Sequence, residues 1–187
     1  VEIENLIDMG SAPPLIILLV LVLPAAFIDL KSNRIPNILT FPGMLAALFY
    51  FSAANGLDGF FFSLKGIGLG IGLLLIPYMM GGMGAGDAKL MGVVGGFLGA
   101  KGVLAAFLFT AVIGGIHALC ILLVYRKKFA GHLKDLLNRW SFFISTKTYL
   151  LEPEDNQSQR PRLCYGLAIA LGTALYMSLS AYGYHIF

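Results

Sequence analysis

Long apolar runs, parted by short polar or glycine-rich joints, set the pattern of this chain. They cover residues 13–30, 38–54, 59–80, 88–99, 102–125 and 165–187. A helix of about 20 apolar residues crosses the hydrocarbon core of a bilayer. The pattern therefore predicts an all-α, polytopic membrane protein with about six transmembrane helices. The fourth run is roughly a dozen residues long, too short for a lone lipid-facing span. It fits better among its neighbours, where Gly92, Gly95, Gly96 and Gly99 let other helices approach closely.

One hydrophilic stretch, 126–162, interrupts this pattern. In its first part Phe129, Leu133, Leu136, Leu137 and Trp140 share one side of a helix flanked by basic residues. That reads as an amphipathic helix resting on the inner leaflet. Composition agrees with a single integral-membrane domain over 1–187: 58% of residues are hydrophobic and 12% charged, against about a quarter charged in soluble domains. The net charge of +3 is too small and too dispersed for a nucleic-acid partner. Cys120 and Cys164 form no CxxC pair, and the residues point to neither a metal site nor a cofactor. The first run is expected to be a retained helix rather than a cleaved signal. The residues before it carry Glu2, Glu4 and Asp8 and no Lys or Arg, whereas a signal peptide has a basic leading region.

Charge sets the expected orientation. With six spans, one side receives the joints around 31–37, 81–87 and 126–164. Those joints and their flanks hold Lys31, Arg34, Lys89, Arg126, Lys127, Lys128, Lys134, Arg139, Lys147, Arg160 and Arg162, leaving only Lys65 and Lys101 toward the other side. The positive-inside rule puts the basic side in the cytoplasm. Asp29, at the end of the first run, and Asp87, after the glycine cluster 81–86, both fall at that face.

An ionisable group at membrane depth is costly, and is usually functional when it occurs. Each aspartate alone reads as an ordinary helix-boundary residue; the pair, matched in depth and side, points to shared acid/base chemistry. Gly84 and Gly86 carry no side chain, so extended backbone of a substrate has room beside Asp87. Lys89 reads as an inner-leaflet anchor or as a cation acting on Asp87. Asn37 reads as a cap on the second helix. His117 reads as a helix-packing residue.

Three blocks, in this order, carry a resemblance. They are Asp29 followed by Arg34-Ile35-Pro36-Asn37, then Gly84-Ala85-Gly86-Asp87-Ala88-Lys89-Leu90, then Tyr165-Gly166-Leu167-Ala168-Ile169-Ala170. Together they resemble the type IV prepilin peptidases, also called preflagellin peptidases in archaea, with Cys164 where the last block usually has proline. No paired CxxC motif of the longer members is present, so the resemblance is to the short form. It implies a GxGD-type aspartyl endopeptidase of the cytoplasmic membrane, with Asp29 and Asp87 catalytic and Gly84, Gly86 and Lys89 along the substrate approach. The implied partner is a prepilin-like precursor with a short basic leader and an apolar helix, cut at the cytoplasmic face. Two carboxylates sharing a site cannot both ionise easily, so one holds a proton. The expected helix ends assign Asp87 as first base and Asp29 as first acid.

Other readings compete. A transporter would use the aspartates as a proton or cation relay and the glycines as a broken helix, but no inverted repeat is visible. Presenilin-like proteases share GxGD, but Ile28 stands before Asp29 where they have Tyr. A structural membrane subunit makes no use of the pair.

Overall fold

The computed structural model describes residues 12–32, 34–80, 82–124 and 165–182. The expected amphipathic stretch 126–162, Cys164 and both chain ends lie outside the described residues. The chain divides into two compact units, Val1–Gly114 with Cys164–Phe187, and Gly115–Leu163. Of the second unit, only the residues up to 124 are described; they continue a helix and include His117 and Cys120.

All regular structure among the described residues is helical: α1 (Ala12–Ser32), α2 (Asn37–Met79), α3 (Ala85–Val124) and α4 (Tyr165–Ala181). Three helices are long and apolar enough to cross a membrane, Pro13–Ser32, Asn37–Met79 and Ala85–Cys120, and Tyr165–Ala181 is a shorter apolar helix. Large apolar side chains such as Phe27, Ile38, Phe49, Ile76 and Val112 point outward, as they do where lipid is the solvent.

The two longest helices are broken. A straight helix of 43 residues, the length of α2, would run roughly 65 Å. Instead α2 leaves helical geometry at Asn55 and Gly56. Gly56 has φ +59, a left-handed backbone that glycine adopts at little cost. The chain turns back there, because the rings of Phe51 and Phe62 lie 5.0 Å apart, where a continuous helix would hold their backbones about 16 Å apart. Gly99 (φ +71) breaks α3 in the same way. The first break falls in the joint between two apolar runs of the sequence, and the second at the last residue of the fourth run.

Glycine contacts hold the pieces together. Within the first unit, limb 57–79 of α2 crosses limb 85–98 of α3 with backbones touching. A Cβ on Gly66 would overlap the Gly95 carbonyl, one on Gly95 would overlap the Gly66 carbonyl, and one on Gly70 would overlap the Met91 carbonyl. Partner numbers fall as the limb's own rise, so the limbs run antiparallel. Gly96 meets Ala47 and Ile67, and Gly92 meets Ile71 and Met44, which brings limb 37–54 onto the same limb of α3. Every residue from 90 to 99 is therefore buried, as the short, glycine-rich fourth run led one to expect. Apolar side chains are no better off against each other than against lipid tails, so such close van der Waals contact is what drives association. Helix α1 packs on α4 and on α2. Gly172 of α4 faces Thr110, and Gly114 faces Tyr165 and Ala168, which sets α4 antiparallel to limb 100–114.

Substituting these glycines tests the crossing. Gly66→Ala and Gly95→Ala should each cost roughly 1–3 kcal/mol through overpacking. Gly68 and Gly72 lie one turn apart on the same limb with nothing within 4 Å of an added Cβ. Gly68→Ala and Gly72→Ala should be neutral or stabilising by up to about 1 kcal/mol. Thermal unfolding midpoints in mild detergent distinguish the two pairs.

Candidate active site

Asp29 stands in the last turn of α1 and Asp87 in the first turn of α3. Both are buried, at 5% and 7% exposure, in an otherwise apolar bundle. A buried carboxylate needs hydrogen bonds to replace the water it has lost. Each aspartate receives one from a glycine amide.

For Asp87 the donor is local. The Gly84 N–H donates to Asp87 Oδ2 at 3.0 Å, and the Asp87 N–H donates to the Gly84 carbonyl at 3.1 Å. With α3 beginning at Ala85, Gly84 is the N-cap residue and Asp87 the third helical position. A carboxylate there that reaches back to the N-cap amide is one half of a capping box. The glycine segment before it is closed by two further bonds, Met80 N–H to the Ile76 carbonyl and Gly82 N–H to the Pro77 carbonyl, each 3.1 Å.

For Asp29 the donor comes from far along the chain. The N–H of Gly166, in the first turn of α4 and 137 residues away, donates to Asp29 Oδ2 at 3.0 Å. The approach depends on glycine: a Cβ at position 166 would sit 2.8 Å from Oδ2 and 3.0 Å from the Cβ of Asp29. Asp29 lies within electrostatic reach of Asp87. Asp87 also acts on the Tyr165 hydroxyl, and the Tyr165 ring lies against Gly114.

The linker between α1 and α2 closes one side. Gly86 faces Ile35, whose Cβ would lie 3.0 Å and whose carbonyl 3.3 Å from a Cβ at position 86. The two glycines of the signature therefore differ. Gly86 makes room for this chain's own backbone. Gly84 is exposed, with Asp87 Oδ2 3.3 Å from the position of its missing Cβ. Gly86 also lies inside α3 rather than in an irregular hinge, because the helix starts at Ala85.

Lys89 is held by α2. Its ammonium donates to Asn37 Oδ1 at 2.8 Å and lies 4.9 Å from the centre of the Phe41 ring. Asn37 is consequently not the cap expected of it. The N-cap is Pro36, with no side-chain cap bond, and Asn37 is the first helical residue. The start of α2 is instead closed by the Leu39 N–H donating to the Pro36 carbonyl at 3.1 Å. Among the described residues, no three His, Cys, Asp or Glu side chains gather to hold a metal ion.

A helical membrane protein that buries two carboxylates at helix ends, each on a glycine amide, is the class this arrangement defines. The family follows from comparison: residues 16–119 match the type IV leader peptidase family, and the chain belongs to it. That match includes both aspartates and ends before α4. The chain is 32% identical over 117 residues to the prepilin leader peptidase/N-methyltransferase of Myxococcus xanthus (strain DK1622), covering 59% of this chain and 35% of that protein. It is equally identical over 117 residues to the protein of the same name from Bacillus subtilis (strain 168), covering 60% of this chain and 46% of that one. The matched stretch thus covers less than half the length of either relative. No solved structure gives a significant match.

The Lys89–Asn37 contact is testable by a double-mutant cycle. Lys89→Leu and Asn37→Leu should each lower thermal stability, with a coupling of about 0.5–1.5 kcal/mol between them. Additive losses would mean that the contact does not form.

Proposed function

We propose that this chain is a membrane aspartyl endopeptidase that removes the short basic leader from prepilin-like precursors, with Asp29 and Asp87 as its catalytic pair. The observation that carries the reading is the pair itself: two buried carboxylates, from different helices, within electrostatic reach at helix ends. Membership of the type IV leader peptidase family supports the reaction, and the relatives named for prepilin leaders support the substrate.

In this reading one carboxylate is ionised and the other protonated. The ionised one takes a proton from water as the oxygen attacks the scissile carbonyl carbon. The protonated one gives its proton to the carbonyl oxygen. Collapse of the tetrahedral intermediate then breaks the C–N bond. The leaving nitrogen takes a proton from the carboxyl that collected it from water, and the carbonyl oxygen returns its own to the other, so the pair is restored. The sum is one peptide bond and one water converted to an acid and an amine. Helix position does not separate the two roles. Asp87 sits in the first turn of α3, and Asp29, although at the end of α1, is bonded to an amide in the first turn of α4. The pair is therefore assigned its roles as a unit.

Substrate backbone approaches on the side of Gly84, where no side chain stands beside Asp87 and the glycine is exposed. The side of Gly86 is taken by Ile35. Lys89, steadied by Asn37 and Phe41, borders this approach. The breaks at Asn55–Gly56 and Gly99 divide two long helices into four shorter limbs, which with α1 and α4 support a reading of six spans. In that reading the basic residues around the 31–37 and 81–89 joints favour a cytoplasmic position for the aspartates. A transport relay fits less well, because its carboxylates would be spread along the bundle rather than set at helix ends.

Asp29→Asn and Asp87→Asn should each lower cleavage of a prepilin-like precursor by at least about 10²–10⁴-fold. Each should stay folded, because the asparagine carbonyl still accepts the glycine amide. The assay uses purified protein in lipid or mild detergent, with mass spectrometry of the product. Wild-type turnover by either folded variant would remove the dyad. The topology is tested separately in a chain whose Cys120 and Cys164 have been changed to serine. Ser32→Cys should react with an impermeant maleimide only from the cytoplasmic side, and Asp58→Cys only from the other. Labelling of both from one side would remove the six-span arrangement.

A further inference from the structure

The family match ends before α4, yet α4 supplies the hydrogen bond that holds Asp29. We propose that Gly166 is a positioning residue: its backbone N–H fixes Oδ2 of Asp29, so that Oδ1 is the oxygen presented to the reacting water and carbonyl. This rests on the peptidase reading.

Four observations converge on it. The first N–H groups of a helix have no partner within the helix, so the Gly166 amide is a free donor inside an apolar bundle. Its acceptor is Asp29 Oδ2 at 3.0 Å, in a buried bond, and no other donor to Asp29 occurs among the described residues. The contact admits no side chain, because a Cβ at 166 would come 2.8 Å from Oδ2 and 3.1 Å from Cγ. Lastly, Asp87 is held in the same manner, through Oδ2 and the Gly84 amide.

The consequence is chemical. An oxygen engaged by a fixed N–H is poorly placed to shuttle a proton in the same plane. With both Oδ2 atoms engaged, the proton that the pair shares resides on an Oδ1. Water gives its proton to one Oδ1, and the other Oδ1 gives its proton to the scissile carbonyl. The α1–α4 packing sets the position of the amide, and Tyr165 in the same turn lies within electrostatic reach of Asp87. One helical turn therefore addresses both carboxylates.

Gly166→Ala should abolish cleavage, but it adds a methyl group to a filled space and the chain could fail to fold for that reason alone. The decisive variant replaces the Gly166 residue by glycolic acid, which turns its amide into an ester and deletes the N–H while adding no atom. Leucic acid at Leu167, which deletes the next amide of the same turn, is the control. The Gly166 ester should lower kcat by about 10²-fold, as expected for a misplaced catalytic group, with KM for the precursor unchanged. The Leu167 ester should leave kcat near wild type. A second readout does not need activity. The Gly166 ester should lower the thermal unfolding midpoint in the wild-type background and leave it unmoved in an Asp29→Ala background. Equal shifts in both backgrounds would overturn the contact. Coupled stability with unchanged kcat, or equal kcat losses from both esters, would overturn the positioning role and leave Gly166 merely structural. A wild-type chain that cleaves no precursor while the coupling persists would overturn the peptidase reading, and the positioning role with it, but not the contact.

Discussion

A carboxylate inside an apolar bundle must find a donor, and in this chain the donors are backbone amides of glycines at helix starts. That requirement governs the arrangement of the first unit. The first-turn amides of a helix have no internal partner and need an acceptor; a buried aspartate needs a donor. Placing α3's cap residue and α4's first turn against the two aspartates satisfies both needs at once. It also explains why glycine stands at 166. Only a residue without Cβ lets Gly166 come within 3.0 Å of Asp29 Oδ2.

The same logic acts on a larger scale in the crossing of limbs 57–79 and 85–98. Backbone contact at Gly66 and Gly95 draws α3 into the centre, where residues 90–99 are buried on all sides. This crossing helps fix where Asp87 sits, since Asp87 lies just before the buried stretch on the same limb. Asp29 is fixed by the packing of α1 on α4. Glycines thus serve at two depths: along the helices they permit approach, and at the helix starts they supply the donors.

Much of this was legible along the chain. The apolar runs mark the helical limbs, the joint 55–58 marks one break and the end of the fourth run at Gly99 the other, because Asn55, Gly56 and Gly99 interrupt otherwise helical patterns. The expectation that Asp29 pairs with Asp87 rests on their matched depth and side, and the structure buries both at helix ends. Less was legible where contacts join distant segments. Nothing in local periodicity links Gly166 to Asp29 across 137 residues, or Lys89 to Asn37 across 52. Sequence position offers Lys89 the inner leaflet or its neighbour Asp87, yet its ammonium lies over α2. Asn37 was read as a cap, yet Pro36 takes that place. One signal was present and overlooked: a carboxylate three residues after a glycine, at the start of an apolar run, is half of a capping box.

That capping role sharpens the functional question rather than closing it. Asp87 has a structural occupation, because a carboxylate at the third position of a helix is stabilising there. Taken alone, it needs no chemistry to explain it. Asp29 has no such occupation. It is buried near the end of α1, tied among the described residues to a single amide, and lies within electrostatic reach of a second carboxylate of the same charge. A side chain chosen for stability at that position would be neutral, since burying a charge with incomplete hydrogen bonding costs several kcal/mol. In the proposed peptidase, stability is given up at Asp29 for the sake of the pair, with Gly166 limiting the loss.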